Sequence, residues 1–229
     1  RDSMEQRPAS WLPMAVVAMG QTLTTLNISA LPVLIGAMVD EFGIAPTMVA
    51  STIVVYSIAV SGFIMLGAKL GKKHGSTTVF RWSTALLLLA SALTTYSPNF
   101  GMLLAAQGVS GLGAALLLPS LVVLITDNYS GPQQAKAIGL LGGVQAAATV
   151  ATILIAGTVG THLGWRYSFG LIIPFAVLTW LMSHKLEPSG KRPELKIDRV
   201  GAVLAAISIA CISLGFNFID DWGLIRAFA

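Results

Sequence analysis

The side chains able to do acid–base, metal or nucleophilic chemistry are few in this chain and stand apart. Its 10 carboxylates, Asp2, Glu5, Asp40, Glu41, Asp127, Glu187, Glu194, Asp198, Asp220 and Asp221, all fall in tails, turns or the ends of apolar runs. His74, His162 and His184 sit at turns far apart in sequence, and Cys211 is the only cysteine, so neither an intrachain disulfide nor a cysteine metal cluster can form. No zinc spacing, nucleophile elbow or phosphate-cradling glycine loop is present. Proton-driven pumps need an ionisable group at membrane depth, and none is expected in this chain. What remains inside the apolar runs is the neutral chemistry of amides at Gln21, Asn27, Gln107 and Gln145. An amide there can line a cavity for an uncharged or lipophilic molecule, or close a hydrogen bond between helices. Both readings stay open for each residue. Neither an enzyme nor a metal or cofactor site is expected.

The elements that must position these amides follow from hydropathy. Hydrophobic residues make up 55% of the 229 and charged residues 10%, with mean hydropathy +0.77, whereas soluble domains carry about 25% charge. The fold class expected is therefore all-α, a polytopic transmembrane helical bundle. Apolar runs at 11–38, 46–69, 80–96, 101–126, 135–162, one entered through the turn at 164–169 and ending near 184, and one at 200–219 read as seven spans, each able to cross about 30 Å of hydrocarbon at 1.5 Å per residue. Pro32, Pro119 and Pro174 interrupt these runs and mark bends. Glycine and alanine crowd the fourth and fifth, where they let helix backbones approach closely. The organisation expected is a cytoplasmic tail at 1–10, a six-helix bundle at 11–184, a solvated cytoplasmic linker at 185–199, a seventh helix at 200–219 and an external turn at 220–229.

The cations test this path, because an alternating chain assigns each connection to one side. Twelve of the 14 lysines and arginines share a side, and Arg166 and Arg226 alone oppose them. The positive-inside rule then places the amino terminus in the cytoplasm, in a cell (inner or plasma) membrane. The pI near 9.4 is thus a topology signal, and no nucleic-acid partner is expected. A basic turn at 70–80, carrying Gly71, Lys72, Lys73 and Gly75, joins spans two and three on that side. The chain starts at Arg1 and stops at Ala229, and is expected to be part of a longer product.

Several stretches carry a resemblance. Residues 70–80 resemble the loop motif Leu-Gly-Asp-Arg-Phe-Gly-Arg-Arg-Arg-Val-Phe of major facilitator superfamily transporters, and Gln107 to Ala115 resemble the span-four motif Arg-x-x-Gln-Gly-x-Gly-x-Ala. Ala30-Leu31-Pro32 resembles the end of span one, and Gly164 to Phe169 resemble the Gly-Trp-Arg-Trp-x-Phe turn before span six. Ile197 to Gly201 and Asp221-Trp222-Gly223 resemble the two ends of span seven in the fourteen-span drug efflux group (EmrB/QacA-like). The order and placement of these stretches resemble the amino-terminal half of such a transporter. The resemblance implies that spans one, four and five line a central cavity, and that Gly71, Lys72, Lys73 and Gly75 belong to a gating loop. It also shows departures. Lys72 stands at the loop's aspartate, Ser76 and Thr77 at its arginines, Gln107 at the span-four arginine and Ser110 at the following glutamine.

The function expected is alternating-access efflux of a lipophilic or amphipathic small molecule, in which one six-span bundle rocks against another about a midplane site. The partners are the lipid bilayer, the small-molecule substrate, and a remaining carboxy-terminal half or a partner subunit. The lost polar positions favour an alternative, a transport-inactive domain of this type that acts as sensor, anchor or partner subunit of a larger membrane protein.

Overall fold

A computed structural model of the chain describes residues 9–190 and, beyond them, Gly201, Val203, Leu204, Ile207, Ser208 and Cys211, which are helical. The tail before residue 9, the remainder of the linker, most of the expected seventh span and the expected external turn lie outside the described residues.

Helix α1 spans Leu12–Phe42, α2 Pro46–His74, α3 Ser76–Thr95, α4 Phe100–Asn128 and α5 Gly131–His162, and α6 Trp165–Gly170 is followed by α7 Ile172–Ser183. With α6 and α7 counted together, these make 6 segments long and apolar enough to cross a membrane. Among the described residues there is no strand.

The helices run further than the apolar stretches that nucleate them. Each continues until a residue that cannot extend it. α1 begins beside Pro13, where a missing N–H costs nothing, and ends at Gly43, whose N–H caps Val39 O at 2.9 Å. α5 starts at Gly131-Pro132, four residues before the expected start. Pro32 and Pro119 lie inside continuous α1 and α4. Span six does break, at Leu171, because Pro174 offers no N–H to the Gly170 carbonyl four residues earlier.

The largest difference from the expected layout is at the basic turn. Residues 70–74 are the last turn of α2, Ser76 already begins α3, and Gly75 alone lies between the helices. Its φ of 90° is a conformation that side chains disfavour, and it closes the corner through Gly75 N to Gly71 O at 2.9 Å and Val79 N to Gly75 O at 3.1 Å. Lys72, Lys73 and His74 cluster in that final turn, where cations complement the helix dipole.

In packing, α4 is central. It lies along α2 and α3, while α1 lies along α5. Lipid offers no hydrophobic drive for helix association, so contact depends on close van der Waals fit. α2 and α4 touch backbone to backbone: a Cβ on Gly67 would stand 2.3 Å from Ala115 O, and one on Gly111 2.5 Å from Tyr56 O. Leu31 of α1, Phe80 and Leu87 of α3, and Leu103, Leu117 and Leu121 of α4 belong to the buried core of the bundle.

Candidate functional site

The chain alternates, so one end of the bundle carries Trp11, Gly75, Tyr129 and Ser183, and the far end carries Gly43, Ser97 and Leu163. Between the ends, the buried polar side chains are glutamine, asparagine, serine and threonine only; among the described residues no charged side chain is buried.

Two of the four candidate amides meet on α3. Asn27, at the middle of α1 and 1% exposed, donates Nδ2 to Leu23 O at 2.9 Å and accepts from Ser91 Oγ at 3.2 Å. Gln107, on α4 and also 1% exposed, donates Nε2 to Thr94 Oγ1 at 3.1 Å. Ser91 and Thr94 are three apart and so share a face of α3. The result is a neutral polar seam across α1, α3 and α4. Gln107 lies seven residues into α4, ~10 Å from the far end at 1.5 Å per residue.

The other two amides stand outside the seam. Gln21 is buried two turns nearer the amino end of α1, where its Nε2 donates to Thr25 Oγ1 on the same helix at 3.3 Å. Gln145 is exposed on α5. Of the loop candidates, Gly71 and Gly75 are buried and Lys72 is exposed, with Lys73 half-buried.

Both ends hold anchors that hydropathy does not reveal. At the far end Glu41, in the last turn of α1, pairs with Arg166 and accepts from Trp165 Nε1 at 2.5 Å, while Arg166 also donates to Ser97 O at 2.5 Å. A carboxylate at a helix C-terminus opposes the dipole, and the Arg166 cation offsets that. The guanidinium lies 4.3 Å from the Trp165 ring centre. At the other end Arg81, expected only as a topology cation, donates to Ser183 O and Leu186 O at 3.2–3.3 Å and so caps α7. Thr77 donates to Glu187 O at 2.7 Å and its N–H reaches Ser189 Oγ at 3.3 Å, strapping the start of the linker onto α3. The Gln133 side chain pairs with both backbone groups of Ala9, and Tyr129 OH donates to Ser10 O while burial pushes its phenol above the ordinary value. The residue types gave one usable signal for Arg81, a lone arginine at the very start of an apolar run.

The described residues enclose hollows at two places. One of about 630 Å³ lies at the far end among Thr95, Tyr96, Leu163, Arg166, Tyr167 and Pro174. The other, about 220 Å³, lies between α1, α5 and α7 and is lined by Leu26, Ala30, Thr152, Ala156, Ser168 and Phe175. Neither is lined by any of the four amides.

The model of the Major Facilitator Superfamily matches residues 17–229. Similar proteins include the major facilitator superfamily multidrug transporter mfsC of Aspergillus fumigatus, 28% identical over 78% of this chain and 35% of that protein. The cephamycin export protein CmcT of Amycolatopsis lactamdurans is 26% identical over 88% of this chain and 42% of its own length. The puromycin resistance protein pur8 of Streptomyces alboniger is 26% identical over 94% and 44%. The chain thus spans less than half the length of these relatives. Among solved structures, the peptide transporter POT in complex with sulfate superimposes with a TM-score of 0.73 at 14% identity, covering 96% of this chain and 48% of that one.

Proposed function

The chain belongs to the major facilitator superfamily, and from that premise we propose that it forms the amino-terminal bundle of an alternating-access exporter of lipophilic or amphipathic small molecules. The observation that carries the substrate class is the interior: every buried polar group among the described residues is neutral. Burying a charged substrate group without a charged partner is costly, so such an interior favours an uncharged or weakly polar cargo. The similarity to multidrug, cephamycin and puromycin proteins supports outward movement. The lysine-rich end is then cytoplasmic, the far end external, and the setting the cell membrane.

A carboxy-terminal half, or a partner subunit, completes the transporter by docking against the exposed face of α5. Gly139, Gly142 and Gly143 lie there with nothing within 4 Å of a built Cβ, the kind of surface on which another helix packs closely. Gly75, with Lys72 and Lys73 beside it, serves as the corner that moves when the bundle rocks.

The test is export of a lipophilic dye from cells or proteoliposomes carrying the intact protein. Dye content falling several-fold below that of empty membranes is expected; equal content with correctly folded protein would overturn the reading. The second reading, a transport-inactive module, is favoured by one observation: the amides of Asn27 and Gln107 are engaged in helix packing. It predicts that equal content.

A further inference from the structure

Hydroxyls in these helices hand their proton to a carbonyl three or four residues earlier. Thr25 does so to Gln21, Ser120 to Leu116 and Thr152 to Ala148, at 2.9, 3.0 and 2.6 Å. Ser110 departs from that habit. It is fully buried on α4, yet its Oγ has no hydrogen-bond partner in the protein. Gln107, one turn earlier on the same face, is in a complementary state. Its Nε2 is used by Thr94, but its Oε1, equally buried, has no partner.

A hydroxyl without an acceptor and a carbonyl without a donor, one helical turn apart, make a matched pair of needs. Within a membrane protein no bulk solvent can meet them, and unmet polar groups of this kind are rare in folded interiors. Water can donate to the Gln107 oxygen and accept from the Ser110 hydroxyl at once, and buried waters characteristically take two to four such contacts. We propose that Gln107 Oε1 and Ser110 Oγ hold one ordered water inside the bundle, extending the seam that runs from Asn27 through Ser91 and Thr94. The absence of any buried charge among the described residues disfavours an ion in that place. The proposal concerns this chain's interior and does not depend on what the protein transports.

The test is a density map of the intact protein in lipid nanodiscs, at a resolution where internal waters are visible. Expected is an isolated peak ~2.7–3.2 Å from both atoms, lost in Ser110→Ala while the backbone stays in place. Several results would overturn it: no peak in the wild-type map, a Ser110 hydroxyl bonded directly to Gln107 Oε1 or to the Ala106 carbonyl, or a peak that survives in Ser110→Ala. A peak ringed by many oxygens at ~2.3–2.6 Å would also do so, since that is a cation's signature. Should Ser110→Ala fail to fold, the wild-type map decides alone.

Discussion

Helices α4 and α5 are near twins in composition and opposites in setting. Both are long and apolar, and both are rich in glycine and alanine. Yet 56% of the most apolar stretch is buried in α4 and 11% in α5. The glycines follow suit. Gly111 and Gly113 press against Tyr56 and Leu87, whereas Gly139, Gly142 and Gly143 meet nothing. Small residues therefore have two uses in this chain. In α4 they admit neighbours already present, and in α5 they leave a smooth surface available to something else.

The sharpest way to break this contrast is to put the same bulk on both helices. Gly111→Leu should prevent folding or lower stability by more than the ~1–3 kcal/mol of ordinary overpacking, because its Cβ meets backbone that cannot turn aside. Gly142→Leu should leave stability within ~0.5 kcal/mol while reducing dye export, since the proposed docking face would be blocked. Thermal unfolding and export assays read both. Equal melting temperatures for the two variants would erase the distinction, and unimpaired export by Gly142→Leu would remove the docking role of α5.

A smaller effect separates the two glutamines. Gln107→Leu forfeits the bond to Thr94 and should lose about 1 kcal/mol, the usual size of an interhelical hydrogen bond in a membrane. Gln145→Leu, on the exposed face, should change melting by less than the measurement error. A comparable loss at both positions would mean that α5 is packed in the isolated bundle after all. The smallest effect concerns the strap that fixes where the chain leaves this bundle. Thr77→Val should raise hydrogen exchange at residues 187–190 without altering exchange in α4; unchanged exchange there would show that the Thr77 bonds do not hold the strap.

How much of this was legible in the sequence depended on what water can report. Span number and order follow from apolar length, so the six described spans stood where they were expected. Helix ends did not, because hydropathy stops at the lipid boundary while a helix continues until a cap such as Gly43 or Ser130. The facing of each helix was hidden for a related reason. A soluble helix betrays its core by a polar opposite face, but α4 and α5 are apolar all round, so Gln107 and Gln145 looked equivalent. The seam was half visible, since Ser91 and Thr94 share a helical face, but only the folded bundle places Asn27 and Gln107 against them. Anchors such as Gln133 on Ala9 join residues 124 apart and have no local signature.

The corner at Gly75 has a mechanical meaning. A connection one residue long has no slack to absorb a twist, so α2 and α3 behave as two arms of one bent lever. Torque applied to α2 must reappear as a swing of α3, and with it of the linker start that Thr77 holds and of the α7 end that Arg81 caps. Lengthening that corner by a few flexible residues would uncouple the arms while leaving each helix whole.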